Sequence, residues 1–216
     1  ERTDSMRFVA TSATGGPWDP ALEHGGPPNA LAVRVAERLA RRESSALVAS
    51  RIAAEFVGPV PVGELVAEAQ LVRAARSACL VAVTLRADGR DCLHARVWLV
   101  ADRDTADITP AGPHPDAPPQ ARPSFSLSFP YADSIDWHEV AGSATRPGPA
   151  AVWARPRLPL IEGEQLSGLQ RVALVGDSAS GVSAELDWSA WTFLNGDLDI
   201  HLARPFNGES VHLDAA

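Results

Sequence analysis

The same order of elements reads twice along this chain, and that recurrence limits the fold more than any single motif does. In the first pass, Leu31, Val35 and Leu39 repeat at helical spacing behind Pro27 and Pro28. A first helical turn tolerates both prolines, so the pattern predicts a helix from Pro27 to about Arg42. Runs rich in Val, Leu and Ala follow at Ala49–Phe56, Leu65–Arg73, Cys79–Arg86 and Cys92–Ala101, with turn signals at Gly58-Pro59, Val62-Gly63 and Asp88-Gly89. The first 23 residues read as loop. One helix followed by an antiparallel meander is an α+β unit. In the second pass Val152–Leu160 reads as a strand, Ser167 to about Ala179 as a helix, and Thr192–Ala203 as a strand region.

Between the passes, Pro110, Pro113, Pro115, Pro118, Pro119 and Pro123 mark an extended linker. The reading is therefore a unit over 1–104, a linker over 105–123 and a second unit over 124–216. The spacing supports it. Phe56-Val57-Gly58-Pro59 leads to Gly63-Glu64, and Leu202-Ala203-Arg204-Pro205 leads to Gly208-Glu209, so the prolines lie 146 residues apart and the glutamates 145. After Glu64 most of three strands follow, but after Glu209 only seven residues do. The internal comparison thus predicts a second unit about 30 residues short of the first, lacking its last strands. Its sheet would have an open edge, which favours pairing with a second copy as a homodimer.

Composition removes several function classes. Asp and Glu outnumber basic residues 27 to 19, for a net charge of −8, and all 19 basic residues are Arg. An acidic chain lacks the basic footprint that nucleic acid requires. With no lysine there is no Schiff base and no phosphate-loop lysine. Apolar stretches such as Ala78–Val83 are far shorter than the ~20 residues that span a bilayer, so no membrane segment is predicted. A two-residue loop at Asp88-Gly89 would set Cys79 opposite Trp98 and Cys92 opposite Leu85. The thiols would then not face each other, which suits a reducing cytoplasm. The histidines show no ligand spacing, so no metal is expected. No G-x-G-x-x-G unit or G-x-S-x-G elbow is present.

Two stretches carry a resemblance. Gly16-Pro17-Trp18-Asp19-Pro20 with His24-Gly25-Gly26-Pro27-Pro28-Asn29-Ala30-Leu31 is one. The other is Leu166-Ser167-Gly168-Leu169-Gln170-Arg171 through Asp177, then Trp191-Thr192-Phe193-Leu194-Asn195-Gly196-Asp197-Leu198 and His201-Leu202-Ala203-Arg204-Pro205. Together they resemble actinobacterial double-hotdog proteins related to the TesB-like acyl-CoA thioesterases. That resemblance implies two long helices, each wrapped by an antiparallel sheet, with acyl-CoA bound between the halves and no cofactor. It implies hydrolysis of a fatty acyl-CoA, with Asp177 as general base and Asn195 holding the water. A Gln of the family's site comes from last strands that have no counterpart in these residues.

Thioester hydrolysis needs a base and donors for the oxyanion. Asp177 closes the apolar run Val172–Gly176, where a carboxylate is costly unless partnered; it reads equally as a solvated helix-end Asp. Asn195 can orient water but also forms an ordinary Asn-Gly turn. Backbone donors are expected at a helix start, either Gly168 and Leu169 or Gly25 and Gly26. His24 is expected near the first helix start, lining the cleft. Two other readings stay open: a non-catalytic acyl-CoA or acyl-chain binder, and a hotdog enoyl-CoA hydratase using Asp19 and His24, five residues apart.

Overall fold

The structure, a computed structural model, describes residues 3–44, 46–105, 107–108, 118 and 124–216. Most of the proline-rich linker therefore lies outside the described residues. The first half holds β1 (Thr3–Val9), a 3-10 turn at Ser12–Thr14, α1 (Gly26–Ala40), β2 (Leu47–Phe56), β3 (Glu64–Ala75), β4 (Ala78–Ala87) and β5 (Arg90–Ala101). The second holds α2 (Pro130–Asp133), β6 (Ile135–Ala141), β7 (Ala150–Pro156), α3 (Gly168–Gly176), α4 (Ala179–Val182), β8 (Asp197–His201) and β9 (Val211–Ala215).

Helix α1 is buried on nearly every side, which its sequence permits: Arg34 and Arg38 are its only residues outside the buried set. One face packs on β3, β4, β5 and β2, and another on α3. Strand β4 alternates without a break, placing Cys79, Val81, Val83, Leu85 and Ala87 inward beneath that helix. Each fully buried Val or Leu contributes on the order of 2 kcal/mol, so this layer fixes where the start of α1 must lie.

The sheets are not divided between the halves as expected. One has the order β1-β3-β4-β5-β2-β8, so β8 of the second half extends the first half's sheet by pairing antiparallel with β2. The other is β6-β7-β9. The repeat is nonetheless visible. Strand β1 pairs with β3 across α1 as β7 pairs with β9 across α3, and β2 pairs with β8 at the junction. Among the described residues the second half holds no counterparts of β4 and β5.

Several boundaries differ from the sequence reading. Residues 3–9 form a strand instead of loop, and β6 was not expected. The second helix is short: α3 stops at Gly176, and α4 is a separate turn. The strand expected over Val152–Leu160 ends at Pro156, and only Asp197–His201 of Thr192–Ala203 is extended. The Asp88-Gly89 loop forms as expected, with both residues at positive φ. Cys92, however, is an extra residue in the ladder, since Arg86 faces Asp91 but Leu85 faces Leu93. The bulge moves every later pair by one, so Cys79 faces Leu99, not Trp98, and both thiols are free and buried.

Candidate active site

The end of α3 meets the start of α1, and two glycines make this possible. A Cβ on Gly26 would strike the Leu174 carbonyl, and one on Gly25 would lie 2.5 Å from Asp177 Oδ2. Asp177 caps the C-terminus of α3 and is 6% exposed. Its carboxylate thus stands at the negative end of one helix and against the positive end of another. Asn195 Nδ2 donates to Oδ1 at 2.9 Å and to the Asp177 carbonyl at 3.0 Å, fixing the carboxylate from the β8 side. On the other side Oδ2 lies 3.3 Å from His24 Nδ1.

His24 is gripped between backbone and ring. The Gly26 N–H donates to Nδ1 at 3.1 Å, and the imidazole stacks on Tyr131, with centroids 3.8 Å apart and planes 3° from parallel. Tyr131 is itself pinned, its hydroxyl donating to the Leu174 carbonyl at 2.7 Å and lying 3.0 Å from Ser178 Oγ. Burial holds the imidazole below its ordinary range, and the Asp177 carboxylate draws it partly back up. Nδ1 can serve one neighbour at a time. Unprotonated it accepts from Gly26, and protonated it donates to Asp177.

This group opens on a cavity of about 530 Å³. Of the chain's six Trp, six Phe and one Tyr, eight line it: Trp18, Phe56, Phe125, Phe129, Tyr131, Trp137, Trp188 and Phe193. Trp18 stacks on Trp188 at 5.0 Å and meets Phe193 edge-on, and its Nε1–H donates to the Phe193 carbonyl at 3.1 Å. These contacts tie the loop before α1 to the loop before β8, so both halves build one wall. A mostly apolar cavity with a few convergent polar groups is the usual form of a small-molecule site.

Comparison with known proteins agrees with this architecture. The model for the acyl-CoA thioesterase N-terminal domain matches residues 14–100, and the model for the acyl-CoA thioesterase C-terminal domain matches residues 106–215. The chain belongs to the acyl-CoA thioesterase family. Among solved structures, a candidate thioesterase II from Thermobifida fusca superposes with a TM-score of 0.70 at 19% identity, over 93% of this chain and 77% of that one. A hot dog fold protein of unknown function from Alicyclobacillus acidocaldarius gives 0.64 at 19% identity, over 84% and 67%. The tesB protein of Mycobacterium avium subs paratuberculosis gives 0.57 at 16%, over 83% and 68%. At such identities the likeness establishes the double-hotdog fold. A search of curated proteins finds no match.

Within this family's architecture, the residues expected from the sequence divide cleanly. Asp177, Asn195, His24 and Gly25 line one cavity. Gly26 adjoins it, but its N–H is engaged by His24. Gly168 and Leu169 are absent from the lining; they start α3 at the end away from Asp177, with Gly168 against the Phe206 carbonyl and Leu169 in the core. About 13 Å of helix separates Gly168 from Asp177, so they are corrected from site to scaffold. Asp19 does not meet His24: its Oδ1 accepts the Ala21 N–H at 2.8 Å, while the acid beside His24 is Asp177. Sequence reading missed Tyr131, Ser178 and Glu23, all cavity residues. Among the described residues no helix is long and apolar enough to cross a membrane, and no cluster of metal-ligating side chains occurs.

Proposed function

We propose that this chain hydrolyses fatty acyl-CoA thioesters by direct attack of water, with no covalent intermediate and no cofactor. The observation that carries the reading is the Asp177 carboxylate, buried yet open to the cavity and held by Asn195 through Oδ1. A carboxylate kept in place at such desolvation cost is suited to use as a base.

In this mechanism Asp177 accepts a proton from water as the oxygen attacks the thioester carbon, and Asn195 keeps the carboxylate aimed. The carbonyl oxygen becomes an oxyanion met by the Gly25 amide at the start of α1, where the helix dipole adds to it. Neutral His24, with Nδ1 accepting from Gly26, carries its proton on Nε2 and supplies the second donor. The tetrahedral intermediate then expels the thiolate. The proton held by Asp177 passes to sulfur, leaving a carboxylic acid, a free thiol and the regenerated base.

The test is thiol release from acyl-CoAs of graded chain length, comparing the wild type with Asp177→Asn. Asn keeps the shape and removes the base, so turnover is expected to fall by about 10²-fold or more. Tight acyl-CoA binding with no turnover in the wild type would replace this reading with that of an acyl-CoA binder.

A further inference from the structure

The aromatic rings of this chain are not spread through its core. Beneath α1, the buried apolar side chains of β2 to β5 are Ala, Val, Leu, Ile and Cys. Among the described residues only two rings belong to the buried core, Tyr131 and Trp137, and both line the cavity. The other six cavity rings are half-buried, so each keeps part of its surface in open space. Contacts between rings fix them in two groups. Trp18, Trp188 and Phe193 meet in all three pairings, with centroids between 4.9 and 5.1 Å apart. Phe125 stacks on Trp137 at 4.9 Å, Trp137 meets Tyr131 edge-on at 6.5 Å, and Tyr131 lies 6.2 Å from Phe129. A straight saturated chain gains nothing from this choice, since Leu or Met would bury it equally and adapt to its shape.

Rings that fill no core and keep a surface open to a cavity match a ligand that has a ring of its own. We infer that the fatty acyl group taken by this cavity ends in an aromatic ring, held by stacking and edge contacts with the Trp18 and Phe125 groups. Each such contact favours an aryl ring over an alicyclic one of the same size, because a cyclohexyl group has no quadrupole to align. It favours aryl over a straight chain for a second reason: the chain loses rotamer freedom on binding, and a ring has none to lose. The cavity, at about 530 Å³, is of ordinary size for a small-molecule pocket. The inference rests on the acyl-CoA thioesterase reading for the thioester that carries the ring, whereas the preference for the ring is a matter of binding alone.

The experiment compares three acyl-CoAs of equal carbon number: ω-phenyl, ω-cyclohexyl and straight-chain. Two to five methylene groups separate ring from carbonyl, so the ring does not act on the thioester through bonds. Substrates are compared within each protein, so changes in overall turnover cancel. In the wild type, kcat/KM for the best phenyl substrate is expected to exceed both of its partners by roughly ten-fold, the size of two aromatic pairs. Phe125→Leu and Trp188→Leu, one from each group, are each expected to lower the phenyl-to-cyclohexyl ratio several-fold. A wild-type phenyl substrate no better than its straight-chain or its cyclohexyl partner at every spacer length overturns the inference whatever the variants do. A ratio unchanged in both variants overturns it too. If no thioester is cleaved at all, the hydrolytic reading fails by itself. The same ratios are then taken as Kd by calorimetry, and the same outcomes decide.

Discussion

The two ends of the α1–α3 pair form the same arrangement with opposite results. At one end Asp177, finishing α3, meets the start of α1. At the other Glu37, near the end of α1, meets the start of α3. Both acids are buried. Asp177 opens on the cavity, with Asn195 on one oxygen and His24 beside the other. Glu37 is sealed: Ser167 Oγ donates to Oε1 at 2.7 Å, and Gln170 Nε2 to Oε2 at 2.5 Å. Arg34 of α1 pairs nearby with Glu164 in the loop before α3. The difference teaches that a buried acid between two helices becomes a site only where the second half leaves space. Trp188 and residues 192–196 line that space at the Asp177 end, whereas Ser167 and Gln170 fill it at the Glu37 end.

Adding one methyl group at each helix start is the sharpest way to break the comparison. Gly25→Ala pushes directly on Asp177 Oδ2. Thiol release is expected to fall by about 10²-fold, since an ångström of misplacement at a reacting group costs that much. Gly168→Ala meets the Phe206 carbonyl instead. It is expected to lower the melting temperature while leaving turnover per folded molecule within a few-fold. Equal effects of the two variants on turnover would show that the ends are not specialised.

Removing the side chains that hold each acid is expected to have smaller effects. Asn195→Ala frees Asp177 Oδ1 and the Asp177 carbonyl, and turnover is expected to drop roughly ten-fold, because two hydrogen bonds of about 1 kcal/mol each at most are lost from the base. Glu37→Ala leaves Ser167 Oγ and Gln170 Nε2 unpaired between the helices. Denaturant unfolding is expected to show a loss of about 1–3 kcal/mol, with kcat/KM nearly unchanged. A large loss of activity from Glu37→Ala would place chemistry at the sealed end.

Much of this was legible in the chain itself. The Leu31, Val35 and Leu39 spacing locates α1, and the matching positions of Pro59 and Pro205 and of the Gly63-Glu64 and Gly208-Glu209 pairs announce two related halves. Asp177 stood out because its preceding run is apolar. What was illegible depends on distant packing. Strand β1 reads as loop because it lies at the sheet edge and alternates exposed with half-buried residues, so Met6 and Phe8 carry only a faint signal. Glu37 sits between Ala36 and Arg38 and resembles any solvated helix Glu until α3 covers it. Glu23 resembles a loop carboxylate, and only its burial in the cavity wall gives it meaning. Gly168 and Gly25 carry the same signal at a helix start, and nothing local tells which faces open space.

The mildest perturbation is pH, and it separates the two buried glutamates from Asp177. Burial raises both Glu23 and Glu37 above the ordinary 4.5 of a free carboxyl, Glu23 to about 8. Between those values the folded chain keeps a proton that the unfolded chain has released. Stability therefore falls as pH rises from about 4.5, and the Glu23 share of that fall is complete near pH 8. Glu23→Gln cannot ionise and lacks this slope. Its melting temperature relative to wild type is expected to climb by several degrees from pH 5 to pH 8, at about 2–4 °C per kcal/mol for a chain of this length. Glu37→Gln is expected to behave alike in sign but with its own penalty, since an amide cannot accept from both Ser167 and Gln170 as the carboxyl does. A Glu23→Gln difference that stays constant across that pH range would mean that the Glu23 carboxyl ionises in the folded chain as it does in the unfolded one.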